Sequence, residues 1–590
     1  MILSMAGIFP AIDHYYRAGK GFLSVAVLKS QVEIKLLDLG QAKNIAVIGG
    51  GLTGWFAALM LRRVFSPKVE IVVFEDPKRP HYSGGEGGLG NFVPNLQRAS
   101  IDIDEFVKKT DATFKIGNAY HGWRDGGQND IYYQLFPSPN DHVEEIDFSY
   151  RGVWPYLATR IATKTPLHTL FPGFLLIAAG SSQVEANAVF KLRRSGIQPT
   201  FHFSAGKLVT LLKNAGMSRQ ISSRNGRIVD LVSATNGDVT ALKLDSGEEV
   251  EVDFVIDASG FERISAGKKY KSEWRSFSRS LLENSMLSFS MPNGRKNPSF
   301  VSEATALGAG YLWQVPLAGH VSAQYVFSGQ YTDATRAKDE LQSYLNFTIT
   351  PTGITTFEPG NFKKIWTNNV VALGDASGFV SPLETPSLGL MLQQLGELER
   401  TFLSCHGIIG EQTIEAFNKA NDKSFSEVAD FLRMHYDGGR CDYAFWRDAG
   451  LAERSTSLEA MEACFHKRLP RIIDIDGYNT GWSPLYHLMN WIFVAAPLAI
   501  VSVEGALSEL NNMPPQIRQR MEQYGQELMQ MRGTPVTQPQ PREVQKREWV
   551  NGQNFLSRGV SYGTPRSNVQ VSAKPDSFQE EEGNLRATHR

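Results

Sequence analysis

Apolar positions along this chain follow two rhythms. Ile45, Val47 and Ile48 form a short run that reads as a buried strand, and Trp55 to Leu61 continues without a breaker, as a helix does. Val69 to Phe74 is a second strand run and ends in Glu75. Two later apolar runs, Phe254–Asp257 and Val370–Leu373, also stop at glycine turns. Arg227–Val232, Val239–Leu244 and Glu249–Val255 predict a small meander, with Asn-Gly turns at Asn225–Gly226 and Asn236–Gly237. Helices are expected over Asn95–Lys109, Ala205–Ala215 and Ser457–Lys467, and helical periodicity dominates from Leu390 to about Tyr436. Leu488–Val503 is the most apolar window, too short for a spanning helix, and reads as a buried helix pair. Residues 506–532 read as one amphipathic helix.

The turn after the first strand carries the first chemical signal. Gly49, Gly51 and Gly54 make G-x-G-x-x-G, with Leu52 and Thr53 between the last two. The first glycine permits the tight turn, the second lets backbone approach a pyrophosphate, and the third lets helix and strand pack closely. Phosphates favour the unpaired N–H groups of a helix N-terminus. Glu75 then offers a carboxylate to ribose hydroxyls. Two more elements return to the same place: Asp257-Ala258-Ser259-Gly260 and Gly374-Asp375-Ala376. Either alone is an ordinary strand-to-turn junction. With the first motif they point to FAD rather than NAD. His81–Asn91 holds five glycines and suits a backbone surface lying against a cofactor ring.

Composition removes several classes. The chain has 590 residues, a formal net charge of −1 and 42% hydrophobic residues, enough for a large core and no argument for nucleic acid. Three widely spaced cysteines give neither a disulfide framework nor a metal pattern, which suits a cytoplasmic protein. No membrane segment or signal peptide is expected. The expected division is an N-terminal extension over 1–43 and an FAD-binding domain over 44–400 with an inserted substrate-side β region. A helical substrate-covering region follows over 401–532, then a polar, disordered tail over 533–590.

Segments outside the nucleotide motif resemble the flavin-dependent halogenases of the tryptophan-halogenase family, over about residues 44–505. VIGGGLTGW matches the family's glycine motif followed by tryptophan. ATFKIGNAYHGW is similar to the segment that carries its active-site lysine, which places that role on Lys115. GYLWQVPL resembles the W-x-W-x-I-P box behind the flavin, with Trp313 as the second tryptophan. NNVVALGDASGFVSPLETPSLG matches the stretch holding the essential glutamate, Glu384, and the halide site at Thr385, Ser387, Leu388 and Gly389. His435-Tyr436 and Phe445-Trp446 are a further similarity. The resemblance implies an α/β fold with an FAD-binding domain of glutathione-reductase or aromatic-hydroxylase type and a mostly helical C-terminal substrate region. It also implies reduced FAD from a separate reductase, O2, a halide ion and a small aromatic substrate. In such enzymes flavin hydroperoxide oxidises halide, and the hypohalous species reaches the lysine, which hydrogen-bonds it or forms a haloamine. The glutamate acts as base or polarises the oxidant.

The sequence departs from the family at informative places. Tyr311 replaces the first tryptophan of the box. Glu384-Thr385-Pro386-Ser387 stands where the family has E-S-T-G, and a two-residue shift instead aligns Ser387-Leu388-Gly389 with S-T-G. Pro386 has no N–H for an anion; fewer donors would favour bromide or iodide over chloride. Gln134 takes the place of a frequent histidine, while Phe136 keeps an aromatic. Trp482, Tyr486 and Trp491 are candidates for stacking an aromatic substrate or for the core. An indole or phenol fits these features, with an oligomer left open. Two alternatives stand beside this reading: an FAD-dependent aromatic hydroxylase, and a flavin-binding protein without catalysis.

Overall fold

The computed structural model describes residues 35–516 except 80–81, 83, 128, 138–153, 193–194 and 477–480, together with 519 and 523. The tail over 533–590 and residues 1–34 lie outside the described residues. Strand β1 (Asn44–Ile48) is buried from Ile45 onward and leads through the glycine turn into helix α1 (Leu52–Val64). Strand β2 (Glu70–Glu75) pairs parallel to β1 on one side, and β3 (Phe254–Asp257) pairs parallel on the other. Strand β4 (Val370–Ala372) extends the sheet beside β3, and Ser222–Asn225 extends it beside β2. Trp366–Thr367 closes the far edge antiparallel to β4. The result is a six-stranded α/β sheet in which both later glycine turns end beside the first. Helix α1 packs against Ala205–Met217 and against helix α2 (Pro386–Ser404).

A seven-stranded, largely antiparallel sheet forms the second layer, in the order 351–356, 285–292, 320–327, 310–316, 301–307, 117–121, 131–135. The strand Gly310–Pro316 alternates: Tyr311, Trp313 and Val315 join the main core, while Leu312 joins the smaller core on the other face. A three-stranded sheet of Gly85–Gly87, Thr200–Ser204 and Thr113–Lys115 bridges the layers. C-terminal to α2, the long helix Glu411–Met434 covers the site from the helical side.

Several expected elements differ. Asn95–Lys109 is two helices, Phe92–Arg98 and Ile103–Lys109, because Ser100 turns left-handed and Asp102 caps the second by accepting from Glu105 N. Asn225–Gly226 is not a hairpin turn, since Ser222–Asn225 belongs to the central sheet. The run Glu249–Val255 splits into Glu249–Glu251, in the meander, and β3. At that break the Asp253 carboxylate accepts from the N–H groups of Lys43 and Asn44. Leu488–Val503 yields one buried helix, Leu488–Ala495, which ends before Pro497, with Ala499 left-handed in the turn beyond it. The helix expected over 506–532 is Val503–Asn511, stopped before Pro514 and Pro515; most of its remainder lies outside the described residues. Leu36–Asp38 adds a strand antiparallel to Ile408–Gly410. Among the described residues no helix is long and apolar enough to cross a membrane, and no cluster of metal-ligating side chains occurs.

Candidate active site

The dinucleotide end is built by close approaches. At Gly49, with φ 108°, a Cβ would stand 2.3 Å from the carbonyl oxygen of Ala258; at Gly54 it would stand 1.8 Å from that of Gly49. A larger residue at Gly49 would push the β1 turn off the β3 turn, and one at Gly54 would push α1 off the β1 turn. Gly51 precedes α1 with no side-chain cap, and the first turn holds no acid, so its backbone donors face outward for an anion. Leu52 and Thr53 form that turn, and a Cβ at Gly374 would lie 2.5 Å from Thr53 Oγ1, so the third element meets the first. Glu75 ends β2 with its carboxylate accepting from Lys213 Nζ at 2.8 Å and Ser223 Oγ at 2.7 Å. These features fit a dinucleotide: an uncapped helix end, glycines that admit close backbone, and an oriented acid. Asp257 works differently from the others. Its buried carboxylate accepts from Ser259 N, Ser265 N and Ser265 Oγ, and so braces the turn that carries Gly260. Burial pushes the Asp375 carboxyl up to about 6, opposed by Arg263 and by the Ser387 side chain.

Lys115 and Glu384 meet on the far side of the same region. Both are 0% exposed. Lys115 ends its short strand with Nζ 3.4 Å from Thr385 Oγ1 and 5.4 Å from the centre of the Phe136 ring. The glycine segment passes directly over it: a Cβ at Gly87 would stand 2.7 Å from Nζ. Burial pulls the ammonium down to about 8, against the pull of Glu384 and Glu86 in the other direction. Glu86, on the glycine segment, is pushed up to about 8 by burial and by Asp375, with Lys115 opposing. A row of titratable groups, Asp375, Glu86, Lys115 and Glu384, thus runs through the site.

Glu384 sits at φ 66° and Thr385 at φ 54°, two consecutive left-handed residues without glycine. Such backbone is strained and concentrates at functional sites. The carboxylate is held from several sides. Asn118 Nδ2 donates at 2.7 Å, and the Tyr120 hydroxyl donates to Oε1 in a short contact. Gln134, with its amide oriented to satisfy both ends, donates to both oxygens at 3.2 Å and accepts from Asn490 Nδ2 at 2.7 Å. Asn118 and Gln134 face one another across neighbouring strands. Tyr486 stacks on Phe431 and donates to the Glu384 carbonyl oxygen at 3.2 Å. Of the expected substrate residues, Gln134, Phe136 and Tyr486 therefore gather here. Trp482 instead packs edge-on against Phe417, which packs against Trp366, and Trp491 lies edge-on to Phe431. Trp313 is buried on the same strand face as Tyr311.

The first turn of α2 follows Glu384 directly. Its N-cap, Thr385, makes no side-chain cap, and Pro386 occupies the first helical position. Thr385 N donates to the Pro382 carbonyl at 3.0 Å. The unpaired first-turn donors are thereby those of Ser387 and Leu388. A Cβ at Gly389 would collide with Leu89 and Leu485. Asn118 and Tyr120 were not singled out from sequence as carboxylate partners. Their alternate spacing on one strand was the available signal.

The family pattern of tryptophan halogenases matches residues 44–509. The chain belongs to the tryptophan halogenase family. It is thus an FAD-fold α/β protein of a family of flavin-dependent halogenases, enzymes of oxidoreductase type. It is 40% identical over 490 residues to the uncharacterized protein y4xG of Sinorhizobium fredii, covering 83% of this chain and 96% of that one. It is 26% identical to tryptophan 6-halogenase ThaL of Streptomyces albogriseolus, covering 72% of this chain and 82% of that one. Among solved structures it resembles Xcc4156, a flavin-dependent halogenase from Xanthomonas campestris, with TM-score 0.67 and 25% identity over 83% of this chain and 96% of that one. The fold is also shared with tryptophan halogenase from Shewanella frigidimarina, with TM-score 0.70 and 21% identity over 83% and 94% of the two chains.

Proposed function

We propose that this protein halogenates an electron-rich aromatic such as an indole or phenol, using FAD as FADH2, O2 and a halide ion. Bound reduced FAD with O2 would supply the two-electron oxidation of halide to a hypohalous species. Gly49, Gly51, Gly54, Glu75 and Gly374 would hold the dinucleotide. The observation that carries the reading is the meeting of a buried ammonium with a buried, hydrogen-bonded carboxylate across Thr385. Lys115 would receive the oxidised halogen, since its lowered pKa supplies free amine at neutral pH. Glu384 would take the ring proton, being a carboxylate aimed by fixed donors into the same space. Phe136, Gln134 and Tyr486 would surround the aromatic ring. Burial keeps the reactive halogen from bulk water.

The N–H groups of Ser387 and Leu388 would hold the halide. With Thr385 N–H engaged and Pro386 lacking one, a larger, softer anion is favoured over chloride. FADH2 would come from a separate flavin reductase. The test combines purified protein, a reductase, NADH, FAD and mixed halides with a panel of indoles and phenols, read by mass spectrometry. Halogen isotope patterns are expected. Oxygenated products instead, with NADH consumed by the protein alone, would identify a hydroxylase.

A further inference from the structure

Away from Lys115 and Glu384, a cavity of about 300 Å³ opens at one end of the seven-stranded sheet, next to the paired residues Ser285 and Phe327. Its floor holds Glu283, 2% exposed, with Leu281 and Phe357 beside it. Ser328, also buried, lines the wall, and the exposed Glu358 and Gln330 stand at the mouth. The Tyr436 hydroxyl donates to Glu283 Oε1. Beyond that phenol and its own backbone N–H, the carboxylate has no donor among the described residues, and it forms no ion pair there. Arg433 acts on it electrostatically, yet that guanidinium is spent on Asp437 and on the carbonyl oxygens of Gly450 and Ala452, all at 3.0 Å. The Tyr311 hydroxyl is likewise engaged, by Ser381 and Leu383. Burial pushes the Glu283 carboxyl up to about 7. A buried carboxylate without a counter-ion is costly, and buried charges are ordinarily paired. The open side of Glu283 is the cavity.

We propose that this cavity binds a small primary amine as its ammonium ion, with the charged nitrogen on Glu283 and the apolar body against Leu281 and Phe357. The lining selects this class. An anion would meet Glu283 and Glu358, two groups of its own sign. A hydrocarbon would cover the floor and leave Glu283 as unpaired as before. An ammonium brings three donors and a full charge to the open carboxylate oxygen, and Ser328 adds a hydroxyl to the same lining. The volume lies at the lower end for ligand pockets, which restricts the occupant to a small molecule. The cavity shares no lining residue with the glycine turns or with the site of Lys115 and Glu384, so the inference stands apart from the halogenase reading.

Isothermal titration calorimetry of the full chain at pH 8, where carboxylate and amine are both charged, tests the site. The probes are phenethylamine and hexylamine, each set against its neutral alcohol, 2-phenylethanol or 1-hexanol. Both amines are expected to saturate one site, and the alcohols to bind at least about tenfold more weakly, the size of one lost charge-assisted bond. Glu283→Gln keeps an acceptor for Tyr436 and removes the charge; it should raise the Kd of both amines by a similar factor. Gln330→Trp changes only an exposed position at the mouth and should weaken binding as much, so the test holds even where Glu283→Gln fails to fold. Glu384→Gln, in the other buried site, should bind the amines as the wild type does. Absence of saturable binding by both amines overturns the proposal, as do alcohols that bind as tightly. Wild-type affinity in Glu283→Gln or in Gln330→Trp overturns it too, and so does binding that is lost in Glu384→Gln, which would place the amine beside Lys115 instead.

Discussion

Leu383 donates its backbone N–H to the hydroxyl of Tyr311 at 3.1 Å, one residue before Glu384. The same hydroxyl bonds Ser381 Oγ at 2.6 Å. Tyr311 stands where the family's box begins with tryptophan, and an indole N–H can only donate. The phenol therefore does something tryptophan cannot: it accepts from the segment that presents the left-handed Glu384. Tyr311→Phe should leave the buried Leu383 N–H only its long 3.5 Å bond to Ser381 Oγ, and lower stability by about 1–3 kcal/mol. Tyr311→Trp should be as harmful, despite restoring the family residue. Chemical denaturation of both variants measures this, and a cycle with Ser381→Ala should show the two sites coupled rather than additive.

Lys115 sets the second expectation. Its pKa, drawn down to about 8 from 10.5, lies close to working pH. At pH 7 roughly a tenth of such amines are unprotonated, against far less than 1% for an ordinary lysine. Neutral amine increases as pH rises toward 8, so product formation should climb from pH 6 and level off above about 8. Flavin reoxidation, which does not use the amine, should lack this limb. Lys115→Ala should abolish halogenation while FAD titrates normally. A variant that kept the wild-type rate would put the halogen elsewhere.

Much of this architecture was legible because local pattern and chemistry coincide. The β1 run, the glycine turn and Glu75 are neighbours in sequence and in space, so short-range rules found them. Lys115 and Glu384 were recognisable one segment at a time, by resemblance. Their partners were not. Asn118 and Tyr120 reach Glu384 only because Gly117–His121 pairs with Ile131–Leu135 on one side and Val301–Leu307 on the other. His435 arrives from the end of Glu411–Met434. Such contacts are set by strand register and helix placement, which periodicity does not encode. Trp482 shows the converse: the sequence leaves it open between substrate stacking and core, and it packs against Phe417.

Glu75 gives a prediction about cofactor rather than chemistry. Lys213 and Ser223 hold its carboxylate at the end of β2, and Gly50 leaves room for its stem: a Cβ there would lie 2.4 Å from Glu75 Cγ. Gly50→Val should displace the acid without touching Lys115 or Glu384. FAD affinity, followed by fluorescence quenching, should fall by about tenfold or more, the size of one lost charge-assisted bond. At saturating FAD, turnover should return to the wild-type level.

Pro386 offers the most direct handle on halide choice. It occupies the first position of α2, where proline is well tolerated because that N–H has no helical partner. Alanine there keeps the helix and adds one donor to the pair already supplied by Ser387 and Leu388. Chloride is smaller and more strongly hydrated than bromide, so each added donor should help chloride more. Wild-type protein in equimolar chloride and bromide is expected to yield mainly brominated product, and Pro386→Ala to shift the ratio toward chlorine with little change in melting temperature. Mass spectrometry reads the ratio directly. A wild type that prefers chloride, or an alanine variant with an unchanged ratio, would mean that the first turn of α2 does not set halide preference.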